Sequence, residues 1–331
     1  MKDDALQDIV VLDLSQNLPG PYCSFLLKQK GAKVIKIESP KKPDPAKYLP
    51  GLYDALNAGK DIITVDITCE SGKQELENLV KQADVIIEGA RPGVAAKLGI
   101  DFDTLKQLSD KLIYCSISGY GQTSEKRLTP AHDINLQAAS GICSISGTVK
   151  NTVCSIPIAD MTSSHLAFSE ILAALVNRRL HSAKPVYIDI AMGTALDEMV
   201  SVWQQTKVSD TQAESLLDKS FVTRFLKSLN PIRAWLKAVL TQEPLSRLPH
   251  YGLFTCKDGV EICIGIVDEK HFWESLCEHL GGLLKHLKSS SIKARLLYSP
   301  VFRYLLKRRI KKRSSTYWLS TLNHLPVSQV R

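Results

Sequence analysis

The sequence of 331 residues lacks the signatures of several common nucleotide and metal sites. No Gly-x-Gly-x-x-Gly follows its first apolar run and no Gly-x-x-x-x-Gly-Lys-Ser/Thr occurs, so neither a dinucleotide fingerprint nor a P-loop is indicated. Its eight cysteines form no Cys-x-x-Cys pair and no zinc spacing, which favours small, buried, reduced thiols and no metal. No apolar run is long enough to span a bilayer and the first residues are polar, so we expect a cytoplasmic protein.

The residues that are present describe an ordinary folded chain with a positive charge. Hydrophobic residues make up 44% and charged residues 23%, so the chain can bury a sizeable core and fill two domains. The formal net charge of +8 suits nucleic acid, an anionic membrane or an anionic small molecule, and composition does not choose among them. A basic cluster late in the chain lacks interleaved aromatic residues and any nucleic-acid motif, so we interpret it as a solvated helix face and expect neither nucleic acid nor membrane as a partner. The cluster consists of Lys307, Arg308, Arg309, Lys311, Lys312 and Arg313.

Strand-like and helix-like segments alternate in the first part of the chain. An apolar run at residues 9–14, a helical pattern at 21–30 and a second apolar run at 33–38 form one βαβ unit. Repeated alternation of this kind predicts an α/β fold with a doubly wound parallel sheet. Further strands are predicted at residues 61–67, 83–88, 111–118 and 186–191, and further helices at 71–81, from 162 onwards and at 194–207.

Ligands of such sheets bind at the carboxyl ends of the strands, which points to the loops at residues 15–21, 89–93 and 119–123. Isolated cationic side chains lie within the second of these loops and shortly after the third. Arg91 follows a predicted strand end, and Lys126 and Arg127 lie just upstream of His132, so these side chains could hold a phosphate. Taken alone, Arg91 is more readily explained as a solvated arginine in a turn.

The chain beyond residue 207 is predicted to form a linker and a smaller unit. Periodicity weakens over residues 208–248, and a hairpin at 253–264 with a Lys-Asp-Gly turn follows, with helices at 271–280 and 303–322. We therefore expect a large domain over residues 1–207, a linker over 208–248 and a small domain over 249–331.

Two side chains, His132 and Asp160, are candidate catalytic groups. The helical pattern from Thr162 places Asp160 at or just before a helix N-terminus, where free amides and the helix dipole favour a charged oxygen. Taken singly, an aspartate before a helix is more often an N-cap, and a histidine is more often a hydrogen-bonded structural residue.

An ordered series of motifs runs through residues 9 to about 200. It comprises Val11-Leu12-Asp13-Leu14-Ser15 with Gly20-Pro21; Gly31-Ala32-Lys33-Val34-Ile35-Lys36-Ile37-Glu38; Asp44-Pro45-Ala46-Lys47; Leu56-Asn57-Ala58-Gly59-Lys60; Ala83-Asp84-Val85-Ile86-Ile87-Glu88 with Arg91-Pro92-Gly93-Val94; Gly119-Tyr120-Gly121-Gln122-Thr123; and Pro157-Ile158-Ala159-Asp160. The series resembles the class III CoA-transferases, the CaiB/BaiF family that also includes the α-methylacyl-CoA racemases. One motif would be weak, whereas the ordered series is specific.

The resemblance implies a Rossmann-like large domain and a smaller α/β domain in a homodimer whose chains interlock. It also implies acyl-CoA and a carboxylic acid as small-molecule substrates, with coenzyme A as the anion that matches the basic charge. The arginine of the family's Arg-Pro-Gly loop helps to hold CoA and corresponds to Arg91, which replaces the solvated interpretation of that residue. The residues expected to bind CoA are Arg91, Gln16, Lys97, Lys126, Arg127 and Tyr120.

The resemblance leaves more than one reaction open for Asp160. In transferases the matching aspartate resembles a nucleophile that forms an anhydride and then a CoA thioester. In racemases it and the motif histidine, here His132, resemble two bases on the α-carbon. We prefer transfer because the residues flanking Asp160 are transferase-like and residues 264–270 lack the Glu-Pro pair of racemases; a noncatalytic or truncated CoA-binding member is a third interpretation. In both reactions, amides at the helix start are expected to stabilise the thioester oxygen.

Three departures from the family pattern bear on these expectations. Ala58 stands where relatives usually carry an arginine, which removes one potential CoA cation, and Ala131 replaces a common glycine beside His132. The chain ends about where relatives begin the segment that returns to the large domain, so we expect a shortened or fragmentary member.

Overall fold

A computed structural model describes residues 4–49, 51–145, 155–205 and 248–330. The chain divides into two compact units, Met1–Ser201 and Val202–Arg331. The predicted linker over residues 208–248 lies almost entirely outside the described residues, so the predicted domain bounds stay a prediction. No helix within the described ranges combines the length and the apolar character that crossing a membrane requires.

The first unit is built on a six-stranded sheet in which all neighbouring strands run parallel. Its strands are β1 Val10–Asp13, β2 Lys33–Glu38, β3 Asp61–Thr64, β4 Val85–Glu88, β5 Ile113–Ser118 and β6 Val186–Ala191. Their order is β3-β2-β1-β4-β5-β6, so the progression of the chain reverses between β1 and β4. This is the order of doubly wound nucleotide-binding sheets, and it confirms the predicted α/β fold.

Apolar clusters cover both faces of the sheet because successive residues of a strand point to opposite sides. In β1, Val11 joins the cluster that contains Leu27 and Ile171, whereas Leu12 joins the cluster that contains Leu76 and Tyr114. Strands β4 and β5 are buried throughout, as expected for central strands covered on both sides. The helices are α1 Pro19–Gln29, α2 Leu52–Asn57, α3 Glu70–Val80, α4 Val94–Leu98, α5 Phe102–Leu105, α6 Asp133–Ser140, α7 Ile142–Ile145, α8 Ile158–Leu180 and α9 Met192–Gln204, with a short 3₁₀ helix at Pro45–Tyr48.

A buried carboxylate ends β1 and is neutralised there. Asp13 pairs with Lys60 at 3.1 Å, and both side chains are fully buried. Burial by itself raises the pKa of Asp13, but the ammonium groups of Lys36 and Lys60 and hydrogen bonds from Ser15 and Ser24 outweigh burial, so its pKa lies below the ordinary value. An ion pair, in addition to apolar packing, therefore holds the end of β1 in place.

A second buried pair holds the loop that follows β1. Lys36 donates to the carbonyl oxygen of Ser15 at 2.6 Å and pairs with Asp44 at 3.1 Å. The other oxygen of Asp44 accepts the N–H of Asn17 at 2.8 Å. Asn17 has φ of 66°, a left-handed conformation that asparagine tolerates better than most residues. These bonds fix residues 15–17 beside the carboxyl end of the sheet.

The second unit is an antiparallel sheet with helices. Strands β7 Tyr251–Thr255 and β8 Glu261–Gly265 form the predicted hairpin, and β9 Val327–Gln329, which was not predicted, adds to β8. Trp273 is fully buried in its core. The helices are α10 Lys270–Leu280, α11 Leu283–His286, α12 Ile292–Leu297, α13 Ser299–Ile310 and α14 Ser315–Thr321.

The single helix predicted over residues 303–322 is wrong, because the chain forms α13 and α14 there. Ser314 caps α14 by accepting the N–H of Tyr317 at 3.3 Å. Asp258, in the hairpin turn, accepts the N–H and the hydroxyl of Ser315, both at 2.8 Å. Contacts from the hairpin thus end a pattern that reads as continuous in the sequence.

Cys23, Cys115, Cys256 and Cys277 are buried thiols outside disulfides, as predicted. The prediction is wrong for Cys69, which is exposed, and Cys143 and Cys263 are only partly buried. Burial raises the pKa of Cys277 to about 12, so that thiol stays protonated at neutral pH.

Candidate active site

A cleft of about 1440 Å³ lies at the carboxyl ends of β1, β4 and β5. Its walls include parts of all three loops predicted to meet the ligand, residues 16–20, 89–92 and 119. The cleft spans the point where the strand progression reverses, which is where open α/β sheets bind their ligands. Gly20, in the first turn of α1, lets the loop at Ser15 pack closely against this helix, because a Cβ at position 20 would lie 2.2 Å from the Cβ of Ser15.

Asp160 lies on the wall of this cleft, in the first turn of α8. Its side chain is half-buried, and no described residue forms a hydrogen bond with its carboxyl group. Burial, and to a smaller extent the nearby charge of Asp133, raises the pKa of Asp160 to about 7. A carboxyl group in this state exchanges its proton near neutral pH.

Helix α8 begins four residues before the predicted start at Thr162, so Asp160 lies within the first turn of the helix and not before it. The acceptor that permits the earlier start comes from α6. Asp133 Oδ1 accepts the N–H of Ala159 at 2.7 Å and that of Asp160 at 3.1 Å. Asp133, rather than Asp160, therefore supplies the capping carboxylate.

The same bonds correct a second expectation. The amides of Ala159 and Asp160 are bonded to Asp133, and the next amide, of Met161, donates to the carbonyl oxygen of Pro157 at 3.0 Å. These three groups are therefore occupied and do not stand ready for a thioester oxygen, contrary to the expectation from the helix pattern.

His132 lies on the same wall as Asp160. It precedes the first residue of α6, and its N–H donates to Asn135 Oδ1 at 3.0 Å, which fixes the backbone at the helix start. The side chain is exposed, so it is not a buried structural histidine. The structure thus brings the two predicted catalytic residues to one cleft.

Cations and an amide line the same cleft. Arg91 lies on the loop after β4, and Arg127 and Lys42 enter the wall from two other segments. Gln16 also lines the cleft and donates through Nε2 to the carbonyl oxygen of Lys42 at 3.2 Å. Three positive side chains in one cleft favour an anionic ligand.

Three residues predicted to bind CoA are not among those that line this cleft. Lys97 is exposed in the last turn of α4. Tyr120 packs against the core of the first unit, and the Lys126 ammonium lies 6.0 Å from the centre of its ring. Their contact with CoA stays a prediction.

Sequence reasoning missed two features of the cleft. Lys42 stands in a run of lysines and prolines without a pattern, and nothing in the local sequence around Asp133 points to a partner in α8. The motif Asp44-Pro45-Ala46-Lys47 was the available signal for the first feature, because Asp44 anchors the loop that presents Gln16. Within the described ranges, no group of three or more His, Cys, Asp or Glu residues is placed to hold a metal ion.

The sheet order, the cleft at its reversal point and the aspartate at a helix start define a class of protein. The family model for CoA-transferase family III matches residues 6–331, and the chain belongs to that family.

Curated relatives include transferases and a racemase. The chain is 32% identical over 295 residues to a succinyl-CoA:mesaconate CoA-transferase of Haloarcula hispanica, covering 83% of this chain and 67% of that protein. It is 31% identical over 192 residues to an acyl-CoA transferase of Fusarium pseudograminearum, covering 53% and 42%. It is 28% identical over 284 residues to human alpha-methylacyl-CoA racemase, covering 84% and 65%. The chain thus spans between about two fifths and two thirds of these relatives.

Solved structures support the same fold. A crystal structure of a CaiB/BaiF family protein from Brucella suis superposes with a TM-score of 0.75 at 24% identity, covering 98% of this chain and 83% of that one. A crystal structure of a hypothetical protein from Mycobacterium tuberculosis gives a TM-score of 0.76 at 25% identity, covering 98% and 85%.

Proposed function

We propose that this chain is an acyl-CoA:carboxylate CoA-transferase that reacts through Asp160. The observation that carries the proposal is the half-buried carboxyl group of Asp160 on the wall of a cleft that also presents Arg91, Arg127 and Lys42. Family membership and relatives named as CoA-transferases support the reaction class. The cations suit the phosphates of CoA, and Gln16 offers an amide to the same ligand.

The proposed reaction balances without a cofactor. The ionised Asp160 oxygen attacks the thioester carbonyl carbon and the C–S bond breaks. CoA is released as its thiolate, and the acyl group remains on Asp160 as a mixed anhydride. The thiolate then attacks the aspartyl carbonyl, which releases the first carboxylate and leaves an aspartyl thioester. An acceptor carboxylate repeats the two steps in the reverse sense, takes up CoA and restores Asp160.

The proton on Asp160 sets the pH dependence of this reaction. Attack requires the carboxylate, so kcat/KM should rise with pH through about 7, the pKa to which burial and Asp133 raise this group.

The raised pKa of Asp160 also favours a second function, racemisation of a 2-methylacyl-CoA. A carboxyl group that titrates near neutrality and a histidine in the same cleft suit the removal and return of an α-proton. Human alpha-methylacyl-CoA racemase is among the relatives.

One experiment separates the two functions. The protein is incubated with a 2-methylacyl-CoA in heavy water, without an acceptor acid, and substrate and protein are analysed by mass spectrometry. Transfer predicts an acyl or CoA adduct on Asp160 without α-deuterium, and Asp160→Asn should abolish the adduct. Deuterium at the α-carbon without an adduct would overturn the transferase proposal and support the racemase. Acyl-CoA binding with neither result supports the noncatalytic interpretation.

Further properties of the family extend the proposal. We expect a homodimer with interlocked chains, acyl-CoA and a carboxylic acid as its small-molecule substrates, and a cytoplasmic location. Sedimentation equilibrium at micromolar protein tests the dimer, for which a mass near that of one chain would be contrary evidence.

A further inference from the structure

The carboxylate of Asp133 connects the two candidate catalytic residues of the cleft. Asp133 follows His132 in the chain and begins α6. Its Oδ1 lies 2.7 Å from the amide nitrogen of Ala159 and 3.1 Å from that of Asp160. Both N–H groups belong to the first turn of α8, where a helix has no acceptor of its own. Ala159 is fully buried, so its N–H would have no access to water without this partner.

The other oxygen of Asp133 is held as well. Gln137, one turn further along α6, is fully buried, and its Nε2 donates to Asp133 Oδ2 at 2.5 Å. The same Nε2 lies 3.4 Å from the carbonyl oxygen of Ile156, just before α8. With three donors on two oxygens, the Asp133 carboxylate cannot rotate without losing a hydrogen bond.

We propose that Asp133 is the positioning residue of this site: it joins the start of α6 to the first turn of α8 and so fixes the Asp160 backbone relative to His132. The inference rests on the proposed function, since it takes Asp160 as the reacting group. It extends that function by assigning a role to a carboxylate that does not itself react.

The backbone of Asp160 is further restrained on its carbonyl side. The hydroxyl of Ser163 donates to the Asp160 carbonyl oxygen at 2.9 Å, and the hydroxyl of Ser164 lies 2.7 Å from that oxygen and 2.8 Å from the carbonyl oxygen of Pro19. The two serine hydroxyl groups restrain the carbonyl oxygen of Asp160, whereas Asp133 restrains its N–H group. Removal of Asp133 therefore frees the side of the residue that faces α6.

Asp133 also acts through its charge, because its carboxylate adds to the effect of burial in raising the pKa of Asp160. Two substitutions separate the roles. Asp133→Asn keeps an oxygen that can accept the two N–H groups but removes the charge and the acceptor for Gln137, whereas Asp133→Ala removes all three.

The test measures kcat/KM against pH for CoA transfer, melting temperature by circular dichroism, and titration of the Asp160 carboxyl group by ¹³C NMR, which needs no turnover. For Asp133→Asn we expect a melting temperature between those of Asp133→Ala and the unsubstituted protein and an Asp160 titration about 0.5 to 1 pH unit lower. For Asp133→Ala we expect kcat to fall by at least about 10-fold with KM for acyl-CoA within about twofold.

Asp101→Ala is the matched control. Asp101 caps α5 by accepting the N–H of Thr104 at 3.2 Å, and it is not among the residues that line the cleft. Its loss should lower the melting temperature without changing kcat or the Asp160 titration.

The outcomes are distinct. A kcat for Asp133→Ala that falls no further than that of Asp101→Ala would overturn the proposal. If Asp133→Ala does not fold, Asp133→Asn decides. Because that variant keeps an acceptor for both N–H groups, its kcat above the pH at which Asp160 titrates should stay within about threefold of the unsubstituted protein, and a loss of about 10-fold or more would overturn the proposal. Full turnover by Asp160→Asn would instead remove the proposed function, while the titration of Asp160 would still report on its link to Asp133.

Discussion

At the scale of single residues, two carboxylates of the first unit have opposite surroundings. Asp13 is buried against an ion pair that keeps it charged, whereas Asp160 is half-buried without a described hydrogen-bond donor on its carboxyl group. The first arrangement stabilises a charge inside the fold, and the second leaves a group that gains a proton easily. Each arrangement gives a measurable dependence on substitution or pH.

Asp160 should make the protein less stable as pH rises from about 4 to about 7. The folded protein keeps the proton of Asp160 up to about pH 7, whereas an unfolded chain releases it near pH 4, so folding takes up a proton in that window. Asp160→Asn removes this dependence. Urea unfolding should therefore show the variant gaining about 1–2 kcal/mol relative to the unsubstituted protein between pH 4 and pH 7, after allowance for solvent screening. A constant difference across that window would contradict the raised pKa.

Loss of the ammonium group of Lys60 should destabilise the fold strongly. Lys60→Met leaves Asp13 buried without its 3.1 Å partner, and breaking a buried pair in this way costs about 3–5 kcal/mol. Urea unfolding at pH 7 measures the effect. Lys106→Met is the matched control, because its partner Asp103 is 82% exposed, and it should cost less than about 0.5 kcal/mol. Equal costs for the two variants would show that burial does not strengthen the pair.

At the scale of elements, the backbone of a neighbouring segment can lie so close to a helix that only glycine fits at the contact. Gly72 lies in the first turn of α3, and a Cβ there would come within 2.1 Å of the carbonyl oxygen of Asp66. Because that contact involves backbone, it cannot be relieved by rotating a side chain.

Gly72→Ala should therefore destabilise the protein by about 1–3 kcal/mol, although alanine is the better helix former by about 1 kcal/mol. Thermal unfolding followed by circular dichroism measures this change. Lys73→Ala, at the exposed neighbouring position, should change the free energy of unfolding by less than about 0.5 kcal/mol. A stabilising effect of Gly72→Ala would mean that α3 shifts freely away from Asp66.

The elements also show how far the sequence predicts this fold. Strand β6 and the helix at 271–280 were placed within about one residue, because alternation and helical periodicity are local signals. The start of α8 and the break between α13 and α14 were not predicted. In both cases the deciding acceptor is a distant aspartate, Asp133 or Asp258, and a local pattern carries no record of it.

The candidate site was predicted to the same extent. Arg91, His132 and Asp160 lie in one cleft because parallel strands place their carboxyl ends together, which follows from βα alternation. The bonds from Asp133 to the first turn of α8 did not follow, because residues 133 and 160 meet only through tertiary packing. The place of Lys42 on the cleft wall did not follow either.

At the scale of the whole molecule, the positive charge lies mostly outside the part of the chain that forms the cleft. Residues 1–205 contain 21 Lys and Arg against 24 Asp and Glu, whereas residues 206–331 contain 21 against 10. The overall charge of +8 therefore does not account for a CoA site, and the cations on the cleft wall have to act locally.

Arg91→Met should raise KM for acyl-CoA by about 10-fold or more with kcat little changed, because a lost charge-assisted hydrogen bond to phosphate weakens binding before the chemical step. Steady-state kinetics at two salt concentrations check this, and the salt dependence of KM should become weaker. Arg308→Met, at an exposed position of the basic cluster, should leave KM within about twofold. Similar effects of the two variants would mean that the net charge, rather than the cleft wall, attracts the substrate.

The loop at residues 15–17 has a consequence for the thermodynamics of ligand capture. The buried ammonium group of Lys36, the Asp44 carboxylate and the left-handed Asn17 set its shape before any substrate arrives. Association then requires little ordering of this segment, so calorimetry of CoA binding should give a small entropic penalty, and amide exchange at Asn17 should be slow already in the free protein.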